Sequence, residues 1–188
     1  LCFNVYSGAS GHAYRTPEYT YSLGGLPISC SIYSDQASLA GIHADDSKQK
    51  VIALIGKPKN NSEKTFHYID KGLKISFVDW GGDGKYTVVD MEATKSGLAT
   101  LDGVMVGMPE SVLSETYGTA DSVYIEKRDS PKLSAEQMEK IRKRYGALIK
   151  TTYTYYANPC LTMSFVVGNG VIQKIHIHRS DWLWDGHV

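Results

Sequence analysis

The chain has 188 residues, enough for one core burying roughly 70% of the unfolded surface or for two small units. With 42% hydrophobic and 21% charged residues, and 20 basic against 20 acidic side chains, it carries no net field to attract nucleic acid or anionic lipid. No stretch approaches the roughly 18 apolar residues of a membrane span, so no transmembrane segment is expected.

Taken in chain order, the first predicted element is a hairpin, "YTYSLGGLPISCS" from Tyr19 to Ser31, within an N-terminal part covering residues 1–36. A helix over about residues 47 to 55 follows, with Asp46 or Ser47 as N-cap, Gly56 at the left-handed cap and Pro58 just beyond. Phe66 to Val78, "FHYIDKGLKISFV", reads as two strands. The Gly81-Gly82-Asp83-Gly84 turn leads to a third, "KYTVVDM". Gly97 falls in the linker expected next.

From Gly103 the pattern starts again. "GIHADDSKQKVIALIGKPKN" from Gly41 lies over "GVMVGMPESVLSETYGTADS" from Gly103 with an offset of 62, pairing Gly41 with Gly103, Val51 with Leu113, Ile55 with Tyr117 and Gly56 with Gly118. A second helix is expected over 109 to 117, with Pro109 in its first turn and Glu110 at the positive end of its dipole. Ser134 and Gln137 form a capping box for an inserted helix over about 134–145, with Met138, Ile141 and Tyr145 on one face and interleaved charges on a solvated face. Tyr153 to Val166, "YTYYANPCLTMSFV", matches the first hairpin with one extra residue in the turn. After "GNG" comes the last strand, "VIQKIHIH". The expected fold is α+β: tandem helix-plus-antiparallel-sheet repeats, residues 37–98 and 99–188, forming one curved sheet with the helices on one face.

Within the second copy, Gly107 and Met108 followed by Leu113 and Gly118 resemble the Gly-Met helix start of the β-lactamase inhibitory protein family and of BamE/SmpA-type envelope lipoproteins. The ending "FVVGNGVIQKIHIHRSDW" is similar to the closing hairpin of the inhibitory protein. Copy one has Asp45 and Asp46 in place of Gly-Met, and the cysteine pairs of the inhibitory protein have no counterpart. The resemblance implies a secreted or envelope-associated binding module, compatible with a lipid anchor upstream of Leu1. Its partner would be a protein or a cell-envelope component, and inhibition of a β-lactamase-type enzyme is an alternative.

Strand parity assigns faces. Leu73, Ile75, Phe77, Leu161, Met163 and Phe165 are expected under the helices, together with Val171, Ile175 and Ile177. Lys74, Ser76, Val78, Thr162, Ser164, Val166, Ile172, Lys174, His176 and His178 are expected on the open face. The candidate binding residues are Lys74, Trp80, Lys174, His176, His178, Trp182 and Trp184, combining aromatic anchors with polar tips. No cofactor is expected. An alternative reading gives "HIHRSDWLWDGH" a metal site on His176, His178 and His187 with Asp181 or Asp185 as a further ligand, or a His-dependent hydrolase. No nucleophile elbow, phosphate loop or Cys-His arrangement supports an enzyme, and Cys30 is expected to be buried and inert.

Overall fold

The computed structural model of the chain describes residues 20–23, 26–128 and 132–180. A short antiparallel hairpin, β1 (Thr20–Leu23) and β2 (Leu26–Ser29), is followed by a second two-stranded pair, β3 (Ser38–Leu39) and β4 (Ile42–His43). Helix α1 (Lys48–Ile55) leads into β5 (Asn60–Asn61), β6 (Thr65–Tyr68), β7 (Leu73–Val78) and β8 (Thr87–Ala93). After α2 (Ser111–Tyr117) come β9 (Ser122–Lys127), α3 (Ala135–Tyr145), β10 (Ile149–Asn158), β11 (Leu161–Gly168) and β12 (Val171–Arg179). The described residues therefore form an α+β fold, and every strand pairing in it is antiparallel.

One eight-stranded sheet dominates, in the order β5-β6-β7-β8-β12-β11-β10-β9. Its two meanders, β6-β7-β8 and β10-β11-β12, join where their last strands pair, with Ile175 opposite Ala93 and His178 opposite Asp90. This seam brings together residues more than 80 positions apart in the chain.

Local chemistry accounts for the helices. Ser47 is extended, and its hydroxyl accepts from the Lys50 N–H, while the Gly56 N–H closes the other end on the Ile52 carbonyl. Ser134 and Gln137 form the reciprocal box that starts α3. Alternation then fills one face of the sheet. Leu73, Ile75, Phe77, Met91, Met163, Phe165, Ile175 and Ile177 are buried against Val51 of α1 and Leu113 and Tyr117 of α2. Tyr117 stacks on Phe165 at 5.5 Å between ring centroids, and its hydroxyl lies 2.8 Å from Thr100 Oγ1.

Several backbone contacts recur at positions 62 residues apart in the chain. The Asp45 N–H donates to the Val88 carbonyl and the Val88 N–H to that of Asp46; Gly107, Ile172 and Met108 make the identical exchange 62 residues on in the helix lead-in. Bridges Ser47 to Thr87 and Pro109 to Val171 follow the same rule. The Tyr68 hydroxyl donates to the Gly56 carbonyl, and the Tyr155 hydroxyl to that of Gly118. Asp45 takes the positive φ of 69° that Gly107 takes at 96°, a conformation aspartate tolerates better than most residues.

Several expectations need correction. Helix α2 begins at Ser111 rather than Pro109, because the backbone of residues 107–110 is drawn onto β12 and its β11–β12 turn by hydrogen bonds to Ile172 and Gly170. Val171 and Ile172 exchange faces: Ile172 is 1% exposed and Val171 39%. A bulge at Gln173 causes this, since Val166 opposes Lys174 while Val167 opposes Ile172, and the extra residue flips the parity before it. The second hairpin is longer than the alignment implied, with Tyr155 opposite Met163 where Tyr68 opposes Leu73; a shift of two leaves the faces unchanged. Gly56 and Gly118 have positive φ with ψ of 178° and −146°, outside the left-handed helical well and in a region open essentially to glycine alone. Strand β9 has no counterpart in the sequence reading.

Candidate functional site

The open face is built from the residues between the core positions. One row across the sheet runs His67, Lys74, Glu92, His176, Ser164, Thr154 and Ser122, each opposite the next. The neighbouring row runs Thr65, Ser76, Asp90, His178, Thr162 and Tyr156. Because β8 and β12 lie at the centre, their acidic and basic side chains concentrate at the seam. Lys174 Nζ reaches Glu92 at 3.1 Å, and His176 Nε2 and His178 Nδ1 lie 2.7 and 3.1 Å from the same oxygen of Asp90.

A carboxylate oxygen only accepts, so both ring nitrogens donate to Asp90. Burial alone would raise the Asp90 pKa, but the hydrogen bonds from His176 and His178 outweigh it and hold the carboxyl well below the usual carboxylate range. The bond to Asp90 raises His178, against the opposing effect of its own desolvation. The signs fix a pH window. A depressed Asp90 contributes stability above its unfolded pKa near about 4, lost as pH falls; a raised His178 contributes below its unfolded pKa near about 6.5, lost as pH rises through the folded value. With chelator present and Glu92 and Lys174 untouched, the melting-temperature difference between the native chain and Asp90→Asn is expected to be largest between these limits. A difference independent of pH from 3 to 9 would show that the histidines do not use the carboxylate charge.

Lys74, Lys174, His176 and His178 thus share the open face. Trp80 is 46% exposed in the β7–β8 loop, beyond the strands, where Asp79 accepts the Asp83 and Gly84 N–H groups and holds the turn. Trp182, Trp184 and His187 lie outside the described residues, as do Asp181 and Asp185. The residue missed in the sequence is Asp90. In "VVDMEA" Asp90 and Glu92 alternate with the buried Met91 and Ala93, so parity alone places both acids on the face that carries the histidines.

A second feature lies at the β9 edge of the sheet. Val123, Tyr124 and Ile125 are all exposed there, and Ile149 of β10 is exposed beside them. No catalytic nucleophile emerges from the thiol at Cys30, which is buried; burial first, and then the charge of Asp121, push its pKa up to about 11. The chain matches no protein-family model, no curated protein and no solved structure.

Proposed function

We propose that the chain is a non-enzymatic, extracytoplasmic binding module built from tandem helix-plus-sheet repeats, which recognises a protein or cell-envelope component through the open face of its sheet. The repeat reading is supported by the hydrogen bonds that recur 62 residues apart in the helix lead-ins and by the two tyrosine-to-glycine contacts that follow each helix. The extracytoplasmic assignment rests on the resemblance of the Gly107-Met108 helix start to envelope and inhibitory proteins.

One observation carries the binding reading. The helix side of the central strands is filled by a single apolar core, while the opposite side presents Lys74, Glu92, Lys174, His176, His178, Thr154, Ser164 and Tyr156 on a hydrogen-bonded frame. Polar and aromatic tips held rigidly lose little conformational entropy when a partner orders them.

A photo-crosslinking residue at Ser164, on the open face, is expected to capture a discrete partner from the envelope of the source organism, whereas one at Leu54, exposed on α1, is not. Lys74→Glu should lower capture at Ser164 roughly tenfold, as loss of a central contact does. Equal capture from both positions, or capture insensitive to Lys74→Glu, would remove the open face from the interface.

A further inference from the structure

We propose that Asp90, His176 and His178 form a binding site for one divalent transition-metal ion of the zinc type, set at the β8–β12 seam of the open face. This requires no second macromolecule and shares with the partner reading only the assignment of strand faces.

Each of the three residues offers one ligand atom, and these atoms all lie within 4.8 Å of one another. Two bonds of about 2.0–2.2 Å span at most about 4.4 Å, so small side-chain rotations bring three donors so spaced onto a single ion. The backbone fixes the arrangement. His176 and His178 are two apart on β12, so both project from the same face, and Asp90 is the residue directly opposite His178 on β8. The imidazoles lie side by side, 5.9 Å between ring centroids and 31° between planes, with both ring nitrogens directed at one carboxylate oxygen. A metal ion would replace these two N–H donations with bonds to the ring lone pairs, each neutral ring carrying its proton on the other nitrogen and any imidazolium releasing one proton to solvent, while Asp90 remains ionised.

The donor set selects the ion class. Two imidazole nitrogens and one carboxylate oxygen suit zinc and its neighbours, whereas calcium and magnesium prefer oxygen ligands throughout and cuprous copper prefers sulfur. Glu92 is held by Lys174, and Ser164 and Thr162 stand opposite the two histidines, so among the described residues the nearby strands add polar neighbours without a fourth strong protein ligand. Side-chain exposures of 25% for Asp90, 33% for His176 and 48% for His178 give the ion a path from solvent and give water access to its remaining coordination positions. Three protein ligands with an open position are characteristic of accessible rather than purely structural zinc sites.

The test uses the full chain stripped with chelator and titrated with zinc by calorimetry, alongside the visible spectrum of the cobalt(II) form. One equivalent is expected to bind with a Kd of about 10 µM or below. The cobalt form should show ligand-field bands without a thiolate charge-transfer band, since no cysteine takes part. His178→Gln and Asp90→Asn should each weaken binding at least tenfold, while His67→Gln, on the same face but at the far side of Lys74, should leave it unchanged. His178 is the most exposed of the three, so if Asp90→Asn fails to fold, His178→Gln decides alone. The proposal is overturned if the native chain takes up no zinc at 100 µM, if His178→Gln binds as the native chain does, or if cobalt reports a thiolate ligand.

Discussion

Ile175→Ala is expected to destabilise the protein by about 2–5 kcal/mol, the usual consequence of deleting a large aliphatic side chain from a packed core. Ile175 is fully buried, with Phe165 opposite on β11 and Ala93 opposite on β8, so it stands where the two meanders join. Ala93 is too small to move into the space vacated. The neighbouring His178→Ala removes a half-exposed side chain from the other face and should cost within about 1 kcal/mol. Chemical denaturation of both variants, with the slope of the transition checked for constancy, measures the contrast. If His178→Ala unfolds the chain while Ile175→Ala is silent, the face assignment is inverted and the recognition and metal readings fall together.

The parity that supports this contrast was legible in the sequence for β7 and β11, where Leu73, Ile75 and Phe77, and Leu161, Met163 and Phe165, alternate without interruption. It failed at Val171 and Ile172 because a bulge leaves no compositional mark: both residues are apolar, and Gln173, the extra residue, is ordinary in a strand. The β7–β8 pairing slips in the same way at Val89, where Ser76 opposes Asp90 and Phe77 opposes Val88. Helix α1, the capping box of α3 and the glycine stops were readable because each depends on contacts within four residues. The seam was not, since pairing β8 with β12 depends on how the two meanders meet, and that meeting alone puts Asp90 beside the histidines. Sequence reading therefore supplied both histidines but looked for their acidic partner downstream, at Asp181 or Asp185. Strand β9 was missed because "SVYIEK" is short and lies at the edge, with little buried to impose alternation.

Gly118→Val is expected to cost about 1–3 kcal/mol, through backbone conformation rather than crowding. Gly118 ends α2 at φ 73° and ψ −146°, and a Cβ built there would meet nothing within 4 Å. Its carbonyl is thereby turned toward the Tyr155 hydroxyl at 3.4 Å, the contact that Gly56 makes with Tyr68 at 2.8 Å. A residue with a side chain must either bear the strain or rotate out of it and release both the tyrosine and the closing bond from the Gly118 N–H to the Ser114 carbonyl. Gly97, placed in a tolerant linker by sequence alone, has φ of 102° and is expected to resist substitution too, so it cannot serve as the neutral reference. Gly81 can: its φ is outside the positive range, and an added Cβ would make only an ordinary contact with Asp83 at 3.7 Å. Gly118→Ala separates the two causes, because alanine imposes nearly all of the backbone penalty and adds almost no bulk. Each kcal/mol should lower the melting temperature by roughly 2–4 °C in a domain of this size. Most of the loss seen with valine should already appear with alanine at position 118, and little with valine at position 81; an alanine variant that melts with the native chain would refute the backbone account of this helix end.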